Sequence, residues 1–524
     1  MTDETYGSNY GSDADTEAAN VLKCADCARS DSLVEGLDPV DHIPLTTEAL
    51  AGFPDGVPTS TGANRRQFLA TGVLGMASVY AASKIDWQQA MEAAVAEGAV
   101  ADTNKLVIIY LNGGNDGLNM FVPTGTAFAD YTAKRAGIGR ANGVNVVDQA
   151  NAITKLGTVP IPLNPELSFA MPIVGGPSAM NVANGGRNGH AANLGIDTLW
   201  TAGNVALFPA ADFTPSNQSH FEARDFWFAG LLKQSVTGWV GRWLDRYGSD
   251  ANPLQAISLD SSISKQIRTV KAPVAAVGSL TGINFGLQNV PTTDINLNAE
   301  MAKLAAVATG AGNDQLGRSR SIYDLTVKVS NSLGGLNGQD AIGQNPHGYP
   351  QGALGDRLRR AAVLLGAGLG TRVVTIDWGG FDTHGGQLAS QDPQLRTLSA
   401  SIAAFQSDLN ARGIGDSTMT LVFSEFGRKI AENDGAGTDH GSGGAMMLVG
   451  NPVLGGVAGD VPIANGAMLT DPNDRANLMV ATDFRQVYKQ ILADWLGGDP
   501  NAIIPDAQPA FARADGLAAR ITKV

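Results

Sequence analysis

Cysteine is nearly absent: Cys24 and Cys27 are the only two in 524 residues, and they form a single Cys-x-x-Cys close to the amino terminus. One such pair without a second half is weak evidence for half a zinc site or a redox pair, and it reads first as an incidental pair in a flexible tail. Beyond it no thiol is available, so neither a disulfide framework nor thiolate metal ligation is expected in the main part of the chain. Long apolar runs are missing as well. The stretch from Thr71 to Ala82 is short and rich in Gly and Ala, whereas a membrane-spanning helix needs about 20 apolar residues. Excess positive charge is also lacking. The formal charge is −14, and residues 1–63 account for −10 of it, with twelve Asp and Glu against Lys23 and Arg29. Nothing is basic enough to suggest a nucleic-acid partner. Histidine is scarce, with six in all. His42 falls in the acidic segment, and His190 and His347 stand in Gly- and Asn-rich loops without a neighbouring acid.

What is present divides the chain into three. Residues 1–63 are expected to be a disordered acidic leader. Asn64-Arg65-Arg66-Gln67-Phe68-Leu69-Ala70, the short apolar stretch after it, and the small-residue triplets ending at Ala96 and Ala101 resemble a twin-arginine export signal over residues 64–101. The resemblance implies the twin-arginine translocation machinery as a partner and an exported location, periplasmic, cell-surface or extracellular. Membrane contact is expected only through a retained signal. The chain as a whole is 44% apolar, enough for a large core, which is expected in residues 102–524.

Three segments share one grammar. Leu106–Leu111 runs into Asn112-Gly113-Gly114-Asn115-Asp116, Val373–Ile376 into Asp377–His384, and Thr420–Phe423 into Ser424-Glu425-Phe426-Gly427-Arg428. Continuous apolar runs with polar loops at their carboxyl ends read as buried parallel strands. Leu395, Leu398, Ile402, Phe405 and Leu409 alternate spacings of three and four, which predicts an amphipathic helix between the second and third strands. A right-handed crossover then brings the loops to one edge. Asp483 is positioned to cap a last helix carrying Phe484, Val487 and Ile491. The predicted class is α/β, a doubly wound, mostly parallel sheet flanked by helices. Residues 250–350, rich in Gly, Asn, Ser and Thr, are read as an insertion or cap.

Asp116, Asp382, His384, Asp439 and His440 form a mixed Asp/His set in Gly-flanked loops, a donor set suited to a divalent metal: zinc, manganese or calcium. Each alone is more readily a turn former or helix cap. Glu425 is a further ligand or a base, or simply the ion-pair partner of Arg428 three residues on. Arg428 is the candidate for pairing with an anionic substrate, with Asn115 beside the first strand as a second substrate contact. Ser219-His220 is the candidate nucleophile with its acid or base, and Ser219 is equally a helix cap.

Gly113–Gly117, Ser219-His220-Phe221, Thr237-Gly238-Trp239, Gly380–His384, Ser424–Arg428 and Gly437–Gly441 together resemble a family of exported bacterial proteins catalogued only as domain of unknown function 1501, grouped with the alkaline phosphatase and sulfatase superfamily. The resemblance implies metals at the carboxyl edge of the sheet, a Ser or Thr nucleophile, and hydrolysis or transfer of phosphate or sulfate esters of small or polymeric substrates. Two departures stand out. The Asp382/His384 pair is separated by one residue where the superfamily commonly has three, and Ser424-Glu425 stands where an adjacent Asp-His pair would often follow the strand. The alternative expectation is therefore a non-catalytic surface or binding protein that keeps the fold and a structural metal.

Overall fold

The computed structural model describes residues 104–123, 127–139, 195–250, 252–280 and 345–506, with several shorter pieces. The acidic leader, Cys24 and Cys27 lie outside the described residues. Of the segment read as an export signal only Val79–Tyr80 is described, paired antiparallel with Val274 and Ala275 at the sheet edge.

The strands of the main sheet are β1 (Lys105–Asn112), β2 (Val205–Asp212), β3 (Ala256–Ser258), β4 (Val274–Ala276), β5 (Val373–Gly379), β6 (Thr418–Phe423) and β7 (Gly444–Val449), with short pairings of Gly456–Val457 and Thr482–Asp483 on β2. Their spatial order is β4-β3-β5-β1-β6-β7-β2. From β4 to β6 every pairing is parallel; β7 runs antiparallel to both β6 and β2. Two reversals restore the direction, so β2 points the same way as β1, β5 and β6. The carboxyl ends of four strands and the start of β7 therefore meet at one edge.

Period-two alternation along β1 sends its side chains to two separate cores. Val107, Ile109 and Leu111 pack with Leu358 of α3 (Ala353–Gly366) and with Leu395, Leu398, Ile402 and Phe405 of α4 (Gln387–Ala411). Leu106, Ile108 and Tyr110 face Trp227 of α1 (His220–Ala229), Trp239 and Trp243 of α2 (Trp239–Tyr247), and Tyr488 of α5 (Phe484–Ile491). Both faces of the sheet are covered, which is why the strands read as unbroken apolar runs. The architecture is a mixed, mostly parallel sheet flanked by helices, an α/β fold. Asp483 does cap α5, in a capping box with Gln486. Of the stretch read as an insertion, residues 256–258 and 274–276 are strands of the main sheet, while residues 281–332 lie outside the described residues.

Trp227 shows how packing fixes the site. Its ring stacks between Phe423, with centroids 5.0 Å apart, and Phe484, at 4.2 Å. Burying a side chain of this size contributes about 3–5 kcal/mol relative to truncation. That contact clamps α1 against β6 and sets the position of its first residue, His220.

A histidine and aspartate cluster at the carboxyl edge of the sheet

The loops after β1, β5, β6 and β2 and the segment entering β7 deliver Gly113–Asp116, Asp382–His384, Glu425–Arg428, Ser219–His220 and Asp439–His440 to this edge. Backbone approach there is close enough to demand glycine. A Cβ at Gly113 would lie 2.3 Å from the Asp382 nitrogen, and one at Gly437 would lie 2.3 Å from the His384 carbonyl carbon. Fully buried Phe426 packs on His220 and His440, with ring centroids 4.8 and 4.7 Å away.

His220, Asp382 and His440 converge, each offering a ligand atom within 4.8 Å of the others, and they form a group that could hold a metal ion. Hydrogen bonding sets which ring nitrogens are available. His440 Nδ1 lies 2.9 Å from the Gln218 carbonyl, which can only accept, so in the neutral ring the proton sits on Nδ1 and Nε2 keeps its lone pair. His220 Nδ1 lies 2.7 Å from Glu425 Oε1. Its buried Nε2 has no hydrogen-bond partner among the described residues and faces Asp382 Oδ2 at 3.5 Å. An orphaned Nε2 beside a carboxylate, with the opposite nitrogen tied to an acceptor, fits a cation. His384 Nε2 lies 3.0 Å from His440 Nε2 and 3.2 Å from Asp382 Oδ1.

The electrostatics agree. Burial disfavours charge on His220, but the facing Asp382 carboxylate and the Glu425 hydrogen bond and charge outweigh it and raise the ring to about 9. Burial likewise opposes ionisation of Asp382, and the facing rings of His220, His384 and His440 with the Arg428 charge hold it well below the usual carboxylate range. Glu425 is fully buried yet shifted down, because its hydrogen bond and ion pair with His220 overcome desolvation. His440 is lowered, by burial first. The pocket thus favours positive charge. The Asp382 and His384 side chains remain 40% and 37% exposed, so one side faces solvent.

The other residues singled out from the sequence take different places. Asp439 accepts from Asn433 at 3.0 Å and faces His384 Nδ1 at 3.5 Å, behind the ring. The Asn433 hydrogen bond, first among the causes, holds its carboxyl below the usual carboxylate range. Glu425 receives the Gly113 N–H at 2.9 Å on Oε1, and the Ser424 hydroxyl lies 2.9 Å from Oε2. Asp116 caps the short helix Gly117–Met120 and pairs with buried Arg135 and Gln387. Asn115 is fully buried; its N–H donates to Ser424 and its side-chain oxygen accepts from Gln391. Arg428 is buried and bonds the carbonyls of Gly113, Gly114, Phe381 and Thr438, plus Asp382 at 2.6 Å. It ties three loops together. Ser219 stands at the N-cap of α1, and its side chain makes no capping bond.

Three groups escaped the sequence reading. Gln387 accepts from Thr383 at 3.1 Å and from Thr438 at 2.7 Å, linking the two histidine loops. Asn433 donates to the His384 carbonyl at 3.0 Å. Arg224 lies one helical turn after His220, a spacing that places both on one face. It has no ion pair or hydrogen bond among the described residues and packs over the half-exposed ring of Phe221, 5.4 Å from its centroid. Its charge acts on Tyr110 and Asp377, at the ends of β1 and β5.

Residues 341–497 match the model of a family described as protein of unknown function (DUF1501). The match takes in Asp382, His384, Glu425, Arg428, Asp439 and His440, while Ser219 and His220 lie before it. No curated protein matches the chain. No solved structure matches it either.

Proposed function

We propose that the protein is a metal-dependent hydrolase of phosphate or sulfate esters with Ser219 as nucleophile. The observation that carries this is the convergence of His220, Asp382 and His440, with the far nitrogen of each ring held by an acceptor, at a rim open to solvent on one side. A divalent ion held there supplies Lewis acidity toward an ester oxygen and makes a nearby hydroxyl more acidic. Ser219 precedes His220 at the positive end of α1, where free backbone N–H groups favour a transferring anion. Its oxygen forms the new ester bond as the alcohol leaves, and water then releases the inorganic anion. Arg224, rather than Arg428, is the guanidinium left to meet the anionic group. A coordination position left open toward Ser219 is what separates this reading from a purely structural metal, whose protein ligands fill every position.

Purified protein given aryl phosphates and aryl sulfates with zinc, manganese or iron tests the proposal. Metal-dependent turnover that disappears in Ser219→Ala is expected. Absence of turnover with every metal, or unchanged rates in Ser219→Ala, overturns it. Export by the twin-arginine route is proposed on the Arg65-Arg66 segment alone; amino-terminal sequencing of protein from cell fractions checks whether that segment is removed.

A further inference from the structure

We infer that the cluster is a single-ion centre of three imidazoles and one carboxylate, with His384 as a ligand beside His220, His440 and Asp382. Glu425, the Gln218 carbonyl and Asp439 then serve only to orient the three rings. The inference rests on the cation reading of the cluster and not on the hydrolase reading.

The three rings share one arrangement. Each Nδ1 faces an oxygen: Glu425 at 2.7 Å, Gln218 O at 2.9 Å and Asp439 at 3.5 Å. Each Nε2 faces Asp382, at 3.5, 3.3 and 3.2 Å for His220, His440 and His384. The Nε2 atoms of His384 and His440 face one another at 3.0 Å, a separation that one shared proton or one shared cation explains. Metal bonds of 2.0–2.1 Å in a tetrahedral arrangement set neighbouring ligand atoms about 3.3 Å apart. The spacings around Asp382 bracket that value. An imidazole whose far nitrogen is tied to a carboxylate or carbonyl is the usual support of a metal-bound histidine.

The remaining acids are excluded by their own contacts. Both Glu425 oxygens are engaged by Gly113, His220 and Ser424. Both Asp116 oxygens are taken, by Arg135, Gln387 and the Leu118 N–H. Asp439 lies on the far side of the His384 ring. A set with three nitrogens and one oxygen suits zinc, manganese or iron and not calcium, which takes six to eight oxygens. Four protein ligands close a tetrahedral zinc, whereas manganese or iron, with five or six positions, retains room for a substrate oxygen.

Titration of chelator-treated protein with zinc, manganese and calcium, read by calorimetry and bound-metal content, tests this, and X-ray absorption counts the imidazoles. One zinc or manganese per chain with three imidazoles is expected, with no competition from calcium. Asp439→Asn, at a half-exposed side chain, should lower affinity about 10- to 100-fold at unchanged stoichiometry and unchanged melting temperature of the metal-free protein. His384→Ala should lower it further, with one imidazole fewer in the absorption spectrum. Two ions per chain, calcium displacing zinc, or unchanged affinity in both variants overturns the inference. One bound ion without any ester hydrolysis would count against the proposed function alone; metal-dependent hydrolysis with an ion held by His220 and His440 but not His384 would count against this inference alone.

Discussion

Replacing Arg428 separates two roles that its sequence context left open. If the guanidinium binds substrate, Arg428→Met should weaken substrate affinity and leave the fold intact. The structure assigns it differently: it is buried and donates to four backbone carbonyls from three loops and to Asp382. A methionine of similar length removes those donors at once. Each buried acceptor left unsatisfied costs roughly 1–3 kcal/mol, and water entering beside the partly exposed Asp382 recovers part of that. A net loss of about 3–5 kcal/mol follows, the range for breaking a buried ion pair from one side. At roughly 2 °C per kcal/mol for a domain of this size, the melting temperature should fall by about 6–10 °C. Arg428→Lys should be intermediate, because one ammonium cannot reach three loops. Thermal unfolding of the chelator-treated variants, followed by metal titration, reads both effects. A variant that melts within a degree of the parent and changes only KM would refute the reasoning.

Other perturbations reach different parts of the site. Gly437→Ala pushes a methyl into the His384 backbone; the resulting strain of about 1–3 kcal/mol should lower both melting temperature and metal affinity, checked by the same titration. Arg224→Ala should raise KM for an aryl phosphate about 10- to 100-fold with bound metal unchanged, the loss of one charge-assisted contact; an unchanged KM would remove Arg224 from substrate recognition. Asp212 is pushed up to about 7, by burial first, against hydrogen bonds from Phe213, Ser216 and Gly443. Its folded-state value exceeds the unfolded one, so the folded chain binds the extra proton and stability falls as pH rises from about 4 to about 7. Asp212→Asn should flatten that slope in melting temperatures measured from pH 4 to 8, and an undiminished slope would exclude Asp212 as its source.

Much of the fold was legible because both sheet faces are covered. The unbroken runs of β1, β5 and β6 and the spacing of Leu395 through Leu409 follow from that burial. Asp382, His384 and His440 were legible for the opposite reason, as polar groups in glycine-rich loops with nothing apolar to bury them. His220 was read only as a partner of Ser219. Its arrival beside Asp382 depends on antiparallel β7 lying between β6 and β2, and no local pattern encodes that order. The role of Asp116 was illegible because its partner Arg135 lies 19 residues on, in no motif. Arg428 read as an anion binder because its competitors for hydrogen bonds are backbone carbonyls, which a sequence does not display.

The most direct measurement is anomalous scattering from crystals of the protein loaded with zinc or manganese, recorded at the absorption edge of the metal. A single peak within bonding distance of Nε2 of His220, His384 and His440 and of an Asp382 oxygen is the predicted result. A peak at Asp116, two peaks, or none at the histidines would contradict the assignment of these four residues as a single-ion metal centre.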